Sequence, residues 1–404
     1  MNETSAAKTV LIVGDFADVN GGQAKVAIDS AKLLADEGRQ VVFFAGTGPV
    51  SNTLTHENIE VVCLDGQTLA EATNRAGAAI KGLWNGDAAR ALGDTIKKLD
   101  PKSTVLHCHG WSKALSPSIG PQLASSEIPV IYTMHEYFLA CPNGGFYDYQ
   151  SREICTRKAL SLSCTMTNCD VRHWSHKAWR VARSTVAKTV GRLPSGLTHV
   201  AYISKLQKQV MEPYLPKDAA LHYVPNPVAY EGPAVDWRAN EDLLFVGRLS
   251  AEKGGRLFAD AARQVGAKAV FIGDGDERAT LEAEFPEFEF TGWLSESEVS
   301  DRLAHARALV FPSLWYECQP LVPMEALLRG VPVVTGAWTA AAESVDHGRS
   351  GIVVQSQDAD AFAKGIRALD TLDAFDSAAL AKLVSPKTHV ARLCDIYDGM
   401  LARA

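Results

Sequence analysis

Two doubly wound α/β domains, each built on a parallel sheet, are predicted from three observations. Apolar runs of strand length alternate with amphipathic segments of helix length along nearly the whole chain. The alternation breaks once, in a proline-bearing stretch before residue 242, and then restarts. The 404 residues also exceed the ~250–300 at which a single core stops growing. The strand candidates are continuous Val/Ile/Leu runs rather than alternating ones, which marks strands buried on both faces by flanking helices.

In the first half the runs are residues 10–16, 40–45, 59–64, 104–108, 129–134 and 199–203. After the first, Ala24, Ile28, Ala31 and Leu34/Ala35 share one helical face and Gly38 stops the helix. In the second half the runs are residues 243–246, 268–272, 289–291, 308–312, 331–335 and 351–354. Between the halves, VPNPVAYEGPAVDWRANED has three prolines and few apolar positions, and reads as a linker. The expected domains are 1–228 and 242–383, with a ligand in the cleft between them. In the final stretch, 384–404, Val390, Leu393, Cys394, Tyr397 and Leu401 fall on one helical face.

Composition narrows the class. Hydrophobic residues at 47% and charged residues at 22% are those of an ordinary globular protein. A net charge of −7 argues against a general nucleic-acid binder. No apolar stretch approaches the ~18 residues of a spanning helix. The opening MNETSAAKTVLIVGD has one Lys and a short apolar run, which reads as a strand rather than a signal peptide. A cytoplasmic protein is expected, in which eight cysteines are thiols or metal ligands rather than disulfides. Charge is uneven. Residues 151–200 hold nine Lys/Arg against Glu153 and Asp170, a net of +7, so the remainder carries −14.

Three motifs sit where doubly wound folds bind ligands. Asn20-Gly21-Gly22 follows the first strand, where glycines let a ligand approach the backbone and a helix N-terminus favours an anion. It is not G-x-G-x-x-G, so the dinucleotide fingerprint is absent. Gly247-Arg248-Leu249-Ser250-Ala251-Glu252-Lys253-Gly254 follows the first strand of the second domain. Two cations five residues apart between glycines suit a diphosphate: Arg grips oxygens bidentately, and Lys adds a point charge. Cations also oppose the dipole of a helix start, so they call for an anionic partner. In Glu317-Cys-Gln-Pro-Leu-Val-Pro-Met-Glu325, Pro320 and Pro323 fit only the first turn of a helix. Glu325 then lies inside that helix on an apolar face, where sugar or ribose hydroxyls would satisfy its carboxylate. A carboxylate answering the helix dipole is the plainer alternative.

Together these motifs resemble family 4 of the glycosyltransferases, retaining enzymes of the GT-B fold. The resemblance also runs through Thr133-Met134-His135-Glu136, Val224-Pro225-Asn226-Pro227, Ile272-Gly273-Asp274-Gly275, Phe290-Thr291-Gly292-Trp293 and Gly330-Val331-Pro332-Val333. It implies that Arg248 and Lys253 bind the donor diphosphate and Glu325 the ribose, while Glu317 and His135 contact the donor sugar. Gly21 and Gly22 would lie by the phosphates, and the main chain at Trp293 and Leu294 by the base. Asn226, Gly247, Gly273, Leu321 and Val322 would complete the substrate site. No metal is needed for catalysis: cations and helix N-termini stabilise the leaving nucleoside diphosphate, and the acceptor attacks from the face it leaves. Two departures, Gln319-Pro320 in place of Phe-Gly and Glu136 in place of Asp, bear on donor choice. The implied partners are a nucleotide sugar and a glycan or lipid-linked acceptor in polysaccharide or glycolipid synthesis. A non-catalytic sugar-nucleotide-binding subunit, a phosphorylase and a nucleotide-sugar epimerase are the alternatives.

Two further segments stand apart. Cys141, Cys155, Cys164 and Cys169 fall within 29 residues. Four thiolates there would suit a structural tetrahedral zinc, although the gaps are wider than C-x2-4-C; four plain thiols is the alternative. Residues 172–193 interleave basic residues with Trp174, Trp179, Val181, Val186, Val190 and Leu193 at helical spacing. A helix lying peripherally on an anionic membrane, or one packed on its own domain, would both look like this. His107 and His109 are read as strand-end packing rather than metal ligands.

Overall fold

The computed structural model describes residues 7–68 and 71–403. Fifteen strands occur among the described residues. The first seven-stranded sheet comprises β1 (Thr9–Phe16), β2 (Gln40–Thr47), β3 (Ile59–Cys63), β4 (Thr104–Cys108), β5 (Val130–Met134), β8 (His199–Tyr202) and β9 (Ala220–Tyr223). A small antiparallel hairpin, β6 (Tyr147–Asp148) and β7 (Glu153–Ile154), stands outside it. The second sheet comprises β10 (Asp242–Val246), β11 (Ala269–Ile272), β12 (Glu289–Gly292), β13 (Ala306–Phe311), β14 (Val333–Gly336) and β15 (Gly351–Val354). Every pairing in both large sheets is parallel.

The orders are β3-β2-β1-β4-β5-β8-β9 and β12-β11-β10-β13-β14-β15. Each sheet therefore reverses its winding beside its first strand, between β1 and β4 and between β10 and β13. Those are the points at which doubly wound folds leave a crevice at the carboxyl ends of the strands.

The cores follow from the two-residue period of a strand. Leu11 and Val13 of β1 enter one apolar cluster with Phe44, Leu106 and Tyr132. Val10 and Ile12 enter another with Phe43, Val105 and Ile131. Likewise Leu243 and Phe245 of β10 pack on one face of the second sheet and Leu244 on the other.

The helix Pro386–Leu401 belongs to the first sheet, although it follows the second in sequence. Its Val390, Leu393, Tyr397, Met400 and Leu401 join the cluster containing Val10 and Ile12. His107 fixes the contact: its Nδ1 lies 2.6 Å from the Tyr397 hydroxyl and its Nε2 2.6 Å from that of Thr133. It is a satisfied core histidine. The segment between the sheets is docked rather than loose, with Trp237 only 3% exposed in the second core. Among the described residues no helix is long and apolar enough to cross a membrane.

Candidate functional site

The switch point of the second sheet assembles the charged residues. The loop after β10 turns at Gly254, with φ 72°. A Cβ there would sit 2.2 Å from the Pro312 carbonyl oxygen, so only glycine lets this loop rest on the end of β13. That contact brings Lys253 Nζ within 2.6 Å of Glu317 Oε1, which also accepts the Ser313 hydroxyl at 2.7 Å. Burial works against the Glu317 carboxylate, but Lys253 and the hydrogen bonds of Trp315 and Ser313 together hold the group below its usual range. The ammonium also lies 5.0 Å from the centre of the Trp315 ring. Arg248 Nη2 rests 3.0 Å from Glu252 Oε1, while 57% of the Arg248 side chain stays exposed. Glu252, 2% exposed, further accepts the Ser250 hydroxyl at 2.8 Å. The motif gives Glu252 no role of its own; the structure makes it the anchor of Arg248.

Pro320 occupies the N-cap position of the helix Leu321–Leu328, which places Leu321, Val322 and Pro323 in the first turn and Glu325 beyond it. Among the described residues no side chain hydrogen-bonds the Glu325 carboxylate; Arg329 instead donates to the Glu325 carbonyl at 2.9 Å and to Ser300 at 2.8 Å. Burial raises the Glu325 pKa, against the pull of Arg329 and of Lys25 from the first domain. Lys25 itself reaches across to Glu296 at 3.6 Å. Gly247 and Gly273 lie side by side, where β10 and β11 end. Trp293, at the end of β12, is 67% exposed, and Leu294 packs partly into the second core. Gln319, one of the two departures from the family pattern, accepts the Asn226 N–H at 2.6 Å and ties the linker to this loop.

The first domain presents its own switch point opposite. Gly21, with φ 84°, precedes the helix Gly22–Asp36, and a Cβ on Gly21 or Gly22 would meet nothing within 4 Å. The N-terminus of a 15-residue helix thus opens into free space. Asp15, at the end of β1 and fully buried, accepts the N–H groups of Lys113, Ala114 and Leu115 at 3.1, 2.7 and 3.0 Å, and so sets the loop after β4. A lone carboxylate closing an apolar run was the available signal for it. His135 follows β5; its Nε2 lies 2.9 Å from His109 Nδ1, and burial holds its pKa down to about 3. His135 is therefore a neutral imidazole. Burial pushes the adjacent Glu136 up to about 7.

Residues 240–371 match the family described as "Glycosyl transferases group 1". The second domain is a glycosyl transferase group 1 domain. The 2-deoxystreptamine N-acetyl-D-glucosaminyltransferase of Niallia circulans is 30% identical over 122 residues, 28% of this chain and 31% of the relative. The chain spans about a third of the length of the curated relatives it matches. Solved structures align over almost everything. Sucrose-phosphate synthase from Thermosynechococcus elongatus aligns with a TM-score of 0.70 at 17% identity, covering 98% of this chain and 100% of that one. Anabaena Alr3699/HepE in complex with UDP aligns with a TM-score of 0.63 at 16% identity, covering 97% and 100%. This likeness establishes the two facing Rossmann-like domains of a GT-B fold.

The cysteine-bearing insert lies against the glycosyl transferase group 1 domain. Gly145 packs on the Trp315 ring, and Arg152 reaches Glu277 at 3.4 Å. Its four cysteines, expected as zinc ligands or as plain thiols, are free thiols in this structure. Among the described residues no three His, Cys, Asp or Glu side chains gather as a metal-holding group. The fully buried Lys177 ammonium fills the space instead, 3.1 Å from Cys169 Sγ and 3.7 Å from Cys164 Sγ. Cys155 turns to Arg157 at 3.6 Å, and Cys141 is buried on its own loop.

The basic segment packs against its own domain. It forms the helix Trp174–Thr189, in which Lys177, Arg180 and Arg183 turn inward while Lys188 stays exposed, as do the flanking Arg172 and Arg192. Lys177 is buried among the thiols, and Arg180 is paired with Asp170 at 2.7 Å. Arg183, 4% exposed, lies 4.6 Å from the centre of Phe138. Trp174 stays 54% exposed.

Proposed function

We propose that this protein is a retaining glycosyltransferase that moves a sugar from a nucleoside diphosphate sugar, held in the cleft, to a glycan or lipid-linked acceptor in polysaccharide or glycolipid synthesis. The observation that carries this is the Lys253–Glu317 contact of 2.6 Å at the switch point of the glycosyl transferase group 1 domain. Arg248 and Lys253 bind the diphosphate, with the exposed guanidinium face of Arg248 free to do so. Glu325, whose carboxylate has no hydrogen-bonding partner among the described residues, takes the ribose hydroxyls. Glu317, ionised, and His135, neutral, accept from and donate to hydroxyls of the sugar. The helix N-terminus at Gly22 faces the phosphates from the other domain.

Charge growing on the departing diphosphate meets these preplaced cations and amides, which lowers the barrier without solvent reorganisation. The acceptor hydroxyl attacks from the face the diphosphate leaves and passes its proton to a phosphate oxygen. The Niallia relative is named for transfer of N-acetyl-D-glucosamine and the Anabaena structure contains UDP, which supports a nucleotide-sugar donor here.

A thermal-shift panel of nucleoside diphosphates and their sugars tests the reading, since a ligand that binds only the folded state raises its melting temperature. At least one nucleoside diphosphate should raise the midpoint by several degrees, and its sugar conjugate should be turned over when an acceptor extract is supplied. A panel with no shift for any base overturns it.

A further inference from the structure

The first domain contains a cavity of about 630 Å³ beside the Gly21-Gly22 turn, lined by Asn20 and Gln23 on the cleft side and by Phe138 and Trp179 deeper in. Its charge is unbalanced. Arg75, Lys113 and Arg172 reach it, and among the described residues none of these three side chains makes an ion pair or hydrogen bond. Arg180 lines it too but is satisfied by Asp170. The lining carboxylate, Glu71, is engaged with the Thr68 hydroxyl at 2.7 Å.

The innermost cation is Arg183. It is 4% exposed, donates from Nη1 to the Ser112 carbonyl at 2.9 Å, and its buried Nε has no partner among the described residues. Its guanidinium sits among the rings of Phe138, Trp179 and Trp111, at 4.6, 5.1 and 5.6 Å from their centres. An unpaired donor in such a place costs free energy unless a ligand meets it. Burial lowers the Arg183 pKa to about 10, with Arg180 adding to the fall and Glu136 and Asp15 opposing it.

We infer that this cavity receives an acceptor bearing a phosphate or diphosphate next to its sugar, with the cations on the phosphoryl oxygens and Trp179 and Phe138 against the sugar ring. The inference rests on the glycosyltransferase reading for the word acceptor and on the cavity alone for the phosphate. Three unpaired cations and an unsatisfied guanidinium answer a multiply charged, oxygen-rich group rather than a single carboxylate. The cavity also opens at the turn where the donor phosphates are placed, so a bound sugar can present its hydroxyl to the cleft.

The test is calorimetric titration of the full chain, saturated with the nucleoside diphosphate that shifts its melting most, so that anions cannot enter the donor site. The probes are glucose 1-phosphate, a farnesyl-diphosphate-linked glucose, glucuronate and methyl glucoside. The phosphate-bearing probes should bind at least tenfold tighter than glucuronate or methyl glucoside. Tighter binding of the farnesyl conjugate assigns the phosphate to a lipid carrier, and equal binding assigns it to a soluble sugar phosphate. Lys113→Ala with Arg172→Ala, both exposed at the rim, should cost the phosphate probes tenfold or more with nucleotide affinity unchanged. Arg183→Lys, which keeps the charge and loses the fork, should weaken them as well. Equal affinity for methyl glucoside and glucose 1-phosphate, or a rim variant that binds both as the natural chain does, overturns the inference. Loss of nucleotide binding in the natural chain would count against the donor site instead.

Discussion

Lys253→Met isolates the contact on which the donor site is built. In the natural chain Lys253 and Glu317 are 22% and 11% exposed and 2.6 Å apart. Removing one partner of a fully buried pair costs ~3–5 kcal/mol, because a charge is left without compensation. Here partial exposure and the remaining Ser313 hydroxyl bring the expectation down to about 2 kcal/mol. For a domain of this size that is a fall of roughly 4–8 °C in midpoint.

The sign with pH is definite. With Lys253 present, the Glu317 pKa lies below its unfolded value, so the pair stabilises above the ordinary carboxylate range and is lost on acidification. Without Lys253, burial dominates and the same carboxylate destabilises as pH rises. The gap between natural chain and variant should therefore be widest near pH 8 and close toward about pH 4. Glu317→Gln in the Lys253→Met background should recover most of it. Differential scanning calorimetry of the four proteins across pH reads this directly. Equal midpoints for the natural chain and Lys253→Met at pH 8, or no recovery in the double variant, would refute the argument.

Three other outcomes follow from the same geometry. Glu325→Gln should weaken binding of a bare nucleoside diphosphate about tenfold by isothermal titration, while Glu317→Gln should act on the nucleotide sugar and leave the bare diphosphate within a factor of two. Glu136 is raised to about 7 by burial and, less, by Asp15, against Lys113, Arg183 and the Ser112 hydroxyl. Its folded pKa lies above its unfolded one, so ionising it costs stability as pH rises from about 4.5 to 7; Glu136→Gln should flatten that loss, up to about 3 kcal/mol, in midpoints measured across the range. With Lys177 among the thiols, elemental analysis of protein purified without chelators should find far less than one zinc per chain, and one tetrahedral zinc per chain would show that Lys177 swings out to make room.

What the sequence disclosed and what it hid have separable causes. The strands were legible because β1, β2, β5 and β10 are continuous apolar runs buried on both faces. β9 was not: Ala220–Tyr223 is a half-buried edge strand with His222 within it, and β6 and β7 are two residues each. The residue types of the donor site could be read from the motifs. Their pairing could not, because Lys253 and Glu317 meet only through the adjacency of β10 and β13, a property of strand order. The basic helix shows the opposite failure. Its periodicity was plain, but which face is buried depended on Asp170, on two thiols and on the Phe138 and Trp111 rings beside Arg183, all contributed by residues outside the helix. The four cysteines were read together by proximity in sequence, whereas the chain folds Lys177 in among them.

The central claim is a nucleoside diphosphate seated between the switch points of the two domains, and a crystal structure of the complex tests it most directly. The account predicts phosphate oxygens within hydrogen-bonding distance of Arg248 and Lys253, the ribose hydroxyls on Glu325 and the helix N-terminus at Gly22 facing the diphosphate. A nucleotide bound elsewhere, with Lys253 still closed on Glu317 and Glu325 unpartnered, would contradict it.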